Sequence, residues 1–108
     1  MLDKLNSVEA SYEELTALLS TPSVQADSNE YRKHAKALAE IEPLVEKARE
    51  YKTVLNEMEQ AEEPDKSSDA DMRALAEEEL RGLNERRDAL VTQIKILLVP
   101  KDPNDEKN

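Results

Sequence analysis

With 108 residues, a net charge of −10 and no cysteine, the chain has the size of one domain and lacks both a disulfide framework and thiol chemistry. An acidic chain is not by itself a nucleic-acid binder, because phosphate neutralisation needs clustered Lys and Arg. The lack of cysteine fits a cytosolic protein; residues 1–20 lack the basic and apolar pattern of a signal peptide, and no apolar run approaches the roughly 20 residues that span a bilayer.

Leu, Ile and Val fill only 23 positions and Phe is absent. That sits barely above the level at which a highly charged chain stays disordered, so the pattern of apolar residues decides whether it folds. Leu2, Leu5, Val8, Tyr12, Leu15 and Leu19 recur at intervals of three and four. This spacing predicts a first helix over 2–20 with one apolar stripe. Thr21-Pro22-Ser23 ends it, since proline cannot continue a helix interior.

Asp27 or Ser28 can cap the next helix, and Glu30 suits the positive end of its first turn. Tyr31, Ala35, Leu38, Ile41, Leu44, Ala48, Tyr51, Leu55 and Met58 then line one side. The stripe passes Pro43 without losing phase, which predicts one long helix over 28–62, kinked near Glu42-Pro43. Two helices broken there are the alternative. Residues 63–69 form a turn. Ser68 followed by Asp71 resembles a capping box with Asp in place of Glu.

A third helix is expected over 69–98, with the stripe Met72, Ala76, Leu80, Leu83, Arg87, Leu90, Ile94 and Leu97. The Arg87 stem can lie on the seam while its guanidinium reaches water. Gly82, the only glycine, costs about 1 kcal/mol in a helix interior and reads as a mark of close approach by another helix. Short connections make sequential helices antiparallel. The expected fold is therefore all-α, an elongated antiparallel three-helix bundle of coiled-coil character with shallow crossings of about 20°. Residues 1–99 are read as this helical domain. Residues 100–108, marked by Pro100 and Pro103, are read as an extended linker to a downstream domain.

Charge is uneven along the chain. Glu57, Glu59, Glu62, Glu63, Asp65, Asp69, Asp71, Glu77, Glu78 and Glu79 are offset within their stretch only by Lys66 and Arg73. Such a pole attracts basic protein surfaces and repels RNA; the plainer reading is a solvated turn that keeps the bundle soluble. Arg32, Lys33 and Lys36 are a small cationic group, either an RNA contact or a solvated helix face.

The chemistry of catalysis is thin. His34 is the sole histidine, beside the apolar stripe with Glu30 one turn before it, and reads as a partly buried helix residue. No nucleophile has a base and an orienting partner in the pattern. No glycine-rich phosphate loop occurs, and the acids lack EF-hand spacing. Paired carboxylates need a cleft that shifts their titration, and a narrow bundle offers none. The expectation is a binding or positioning module, not an enzyme, with no catalytic, cofactor or metal site assigned.

Three stretches carry a resemblance. They are Met1-Leu2-Asp3-Lys4-Leu5 with Tyr12-Glu13-Glu14-Leu15 and Leu18-Leu19, then Tyr31-Arg32-Lys33 with Leu38-Ala39-Glu40-Ile41-Glu42-Pro43-Leu44, and above all the run from Leu97 to Asn108 with its Pro-Lys-Asp-Pro-Asn-Asp wording. The whole chain resembles the N-terminal domain of bacterial-type class I peptide chain release factors, type 1. The terminal run favours type 1 over type 2.

The resemblance implies a parent protein that reads the stop codons UAA and UAG on the ribosome and promotes hydrolysis of the peptidyl-tRNA ester. The family's Pro-x-Thr codon-reading tripeptide and Gly-Gly-Gln loop are both absent from these residues, so no functional residue carries over. The resemblance also implies that the bundle projects toward the stalk base of the large ribosomal subunit, with the recycling GTPase factor and the release-factor glutamine methyltransferase as further partners. Modest, largely electrostatic docking by the outer helix faces is the expectation. The rival class is a stand-alone helical coiled-coil or oligomerisation protein; a small metalloenzyme on a helical scaffold is a third. Apolar edges around Val91, Leu98 and Val99 are candidates for self-association of the isolated chain.

Overall fold

A computed structural model describes residues 1–63 and 69–100 of the chain. Its described residues form four helices and no strand: α1 (Leu2–Leu19), α2 (Pro22–Gln25), α3 (Ser28–Glu62) and α4 (Ala70–Leu98). The all-α expectation stands. The residues group into two compact units, Met1–Ala48 and Arg49–Asn108, with the division inside α3.

The end of α1 shows why it stops where it does. A helix leaves its last four carbonyls without partners. Here local side chains and turns fill all four. Ser20 Oγ donates to the Thr16 carbonyl at 3.2 Å, and Thr21 Oγ1 to the Ala17 carbonyl at 3.0 Å. The Thr21 amide donates to the Leu18 carbonyl at 3.0 Å. Gln25 Nε2 reaches the Leu19 carbonyl at 3.1 Å. Pro22 does end α1, as its sequence requires. It also opens the single turn of α2, where a proline at the first helical position loses no hydrogen bond. That turn is an addition to the expected three helices.

Asp27 resolves the choice of cap for α3. Its Oδ1 accepts from the Asn29 amide at 3.1 Å and the Glu30 amide at 3.2 Å. The helix then runs for 35 residues with Pro43 inside it. Pro43 has no amide to give the Ala39 carbonyl, so one rung of the ladder is missing. The helix continues because apolar positions run through the proline: Leu38 and Ile41 are partly buried before it, and buried residues follow it. Leu44, Val45 and Ala48 are buried in the first unit, as is Leu5 of α1.

In the second unit, α3 and α4 run antiparallel. Ala61 and Glu62 share a groove with Arg73, Ala76 and Leu80, whereas Glu50, further back on α3, meets Arg86, further on along α4 (3.9 Å). Val54, Met58 and Ala61 of α3 cluster with Leu83 and Leu90 of α4, and Tyr51, Leu55 and Leu80 pack against them. The buried arc of α3 is therefore wider than the expected stripe. Val54 is 2% exposed, more buried than its neighbour Leu55. Val45, Val54 and Ala61 are core residues that the strict three-four count passes over.

Two expectations for α4 are corrected. Its N-cap is Asp69, whose Oδ1 accepts from the Met72 amide at 2.8 Å, so the capping register lies one residue later than the Ser68–Asp71 pairing. Ser68 itself lies outside the described residues, as do Asp65, Lys66 and the expected linker beyond Pro100. Gly82 does not mark a close helix approach: a Cβ built there meets nothing within 4 Å. Arg87 behaves as expected. It is partly buried, and its Nε and Nη2 both donate to Asp88 Oδ1 at 3.2 and 3.1 Å.

Candidate functional site

The acidic stretch of the sequence becomes a site only where α3 ends and α4 begins. Helix periodicity puts Ala61 on the inner side of α3 and Ala76 and Leu80 on the inner side of α4. Two of these three are alanines, too short to fill the space between the helices. The result is an open groove of about 230 Å³ lined by Ala61, Glu62, Arg73, Ala76, Glu77 and Leu80. Its floor is aliphatic, and carboxylates stand on both walls.

The same end of α4 presents large apolar side chains to solvent. Met72 is 55% exposed and Leu75 is 65% exposed. Met72 was expected in the buried stripe, and Leu75 fell outside it. Met72 precedes Ala76 by one turn on the same side of α4, whereas Leu75 lies on the side turned away from Arg73 and Glu77. Glu57, Glu59, Glu62, Glu63, Asp69, Asp71, Glu77, Glu78 and Glu79 are all exposed. Glu78 is held by Arg81 Nη1 at 2.8 Å, both groups well solvated, so this pair adds little to stability.

The other sequence candidates stay apart from this groove in the chain. Arg32, Lys33 and Lys36 are exposed on the first turns of α3. His34 is largely buried at 18% side-chain exposure, with its Nε2 3.3 Å from Glu30 Oε2. It is a satisfied helix residue, one turn from its partner. Among the described residues, no three His, Asp or Glu side chains converge to hold a metal ion. No helix among them is long and apolar enough to cross a membrane. The groove's chemistry is that of docking: an apolar floor for contact and fixed negative charge for orientation.

A family model described as the PCRF domain matches residues 8–108. The chain is 50% identical over 109 residues to a protein named peptide chain release factor 1 from Carboxydothermus hydrogenoformans. It is 53% identical over 108 residues to the protein of that name from Myxococcus xanthus, and 45% identical over 108 residues to that from Acidobacterium capsulatum. Each alignment takes in 100% of this chain and 30% of the relative, so the chain spans about a third of the length of these relatives. No solved structure matches it.

Proposed function

The chain belongs to the PCRF domain family, and we propose that it serves as the helical N-terminal module of a translation termination factor acting in the cytoplasm at UAA and UAG stop codons. The observation that carries this reading is the end-to-end identity of about one half with proteins named peptide chain release factor 1. In this reading residues 1–99 are the helical domain and 100–108 connect it to the parts of the factor that read the codon and promote ester hydrolysis. The module itself positions the factor and carries out no chemistry. Its contacts are the stalk base of the large ribosomal subunit, the recycling GTPase factor and the methyltransferase that modifies the catalytic glutamine.

The physical character of the chain supports that division of labour. Long helices with aliphatic seams resist bending and give fixed distances between docking points. The candidate groove is built for association, since its titratable groups are solvated and lie in no closed cleft.

The test uses the full-length factor that contains this sequence, with and without residues 1–100. Ribosome binding and stop-codon-dependent peptide release are measured side by side. Release at UAA and UAG persists without the module, and affinity falls by less than about 4 kcal/mol, roughly a thousandfold. A larger loss makes the module a main anchor and overturns modest docking. No change in either binding or release overturns the positioning role.

A further inference from the structure

We propose that the groove between the end of α3 and the start of α4 is a docking site for a basic amphipathic helix of a partner protein. The inference does not rest on the termination reading. It stands on three features that coincide at one end of the second unit.

The first is shape. Ala61 and Ala76 leave room between the helices, and Leu80 closes the groove at its inner end. The second is uncovered apolar surface. Met72, one helical turn before Ala76 on α4, has most of its surface in water. It continues the apolar side of α4 by one turn beyond Ala76, where an incoming helix can meet it. Met72 adds an adaptable thioether that follows the contour of different partners.

The third is charge, which selects the occupant. Of the ten described charged groups from Glu57 to Glu79, nine are acidic. A ligand helix with Lys or Arg flanking its apolar face places cations against Glu62 and Glu77 on the two walls. Polyanions are repelled, which argues against RNA at this end. An uncharged apolar helix gains the floor but none of the rim, so steering and orientation both favour a basic one.

The experiment uses the 108-residue chain and a fluorescein-labelled synthetic peptide of about 16 residues, long enough for a helix to form on binding, with leucines on one face and lysines on the other. A peptide of the same composition with its order scrambled is the control for bulk charge. Binding is read by fluorescence anisotropy over a salt series. The patterned peptide binds at least about tenfold more tightly than the scrambled one, the value of one well-buried aliphatic contact.

Met72→Ser, at an exposed position, weakens the patterned peptide about tenfold and leaves the scrambled one unchanged. The pair E62Q and E77Q weakens the salt dependence. Backbone amide shifts on titration of an isotope-labelled 108-residue chain fall within Ala61 and Ala70–Arg81. Equal binding of the two peptides, or a Met72→Ser variant that binds as the parent does, reduces the site to a solvated acidic turn and overturns the proposal. Competition by a single-stranded RNA oligonucleotide at physiological salt overturns it in favour of a nucleic-acid surface. Because peptide binding and peptide release are separate measurements, the groove can fail while the termination reading stands, and the reverse.

Discussion

The two halves of α4 follow one periodicity and meet opposite fates. From Leu83 to Ile94 the stripe is core: Leu83, Leu90 and Ile94 are buried, Ile94 completely. From Ala70 to Glu79 the same three-four rhythm ends in water, with Met72 exposed and Ala76 only partly buried. The difference lies in what stands opposite. The Leu83–Leu90 stretch faces Val54 and Met58, large enough to cover it. The first turns face Ala61, which is not. Periodicity tells which side of a helix can be buried; the size of the facing residues decides whether it is.

That contrast is open to measurement by urea unfolding of the 108-residue chain, followed by helical circular dichroism. The largest effect belongs to Leu90→Ala, which empties the cluster and costs about 2–5 kcal/mol. Asp69→Ala comes next. It removes the side-chain acceptor from the Met72 amide and costs about 1 kcal/mol. Gly82→Ala changes stability in the other direction. Its site is open and its backbone is not at positive φ, so the alanine stabilises α4 by about 0.5–1 kcal/mol. Leu75→Ser has the smallest effect, within about 0.5 kcal/mol. A Leu75→Ser loss as large as that of Leu90→Ala would erase the distinction between the two halves.

Much of this fold was legible from spacing and caps. The ends of α3 fall at the expected residues 28 and 62, because Asp27 supplies the cap that its side chain promised. What escaped has physical causes. The turn of α2 rests on Gln25 folding back onto α1, a contact between residues that no stripe connects. Val45 and Val54 were missed because a strict heptad rhythm tracks a seam narrower than the arc that packs here. Gly82 was over-read, since composition cannot say whether the space beside a glycine is occupied. The acidic character of the candidate site was plain in the charge run. Its groove was not, because it depends on two small residues, Ala61 and Ala76, facing each other from different helices.

Pro43 leaves a last consequence for how the chain opens. With the Ala39 carbonyl lacking its usual amide, unzipping α3 from Ser28 meets a turn already short of one bond. Fraying that begins at the front of this helix halts most naturally there, ahead of the buried Leu44 and Val45. Amide protons of Tyr31–Leu38 therefore exchange with solvent sooner than those of Leu44–Met58, so that a single imino acid divides one continuous helix into an early-yielding and a late-yielding stretch.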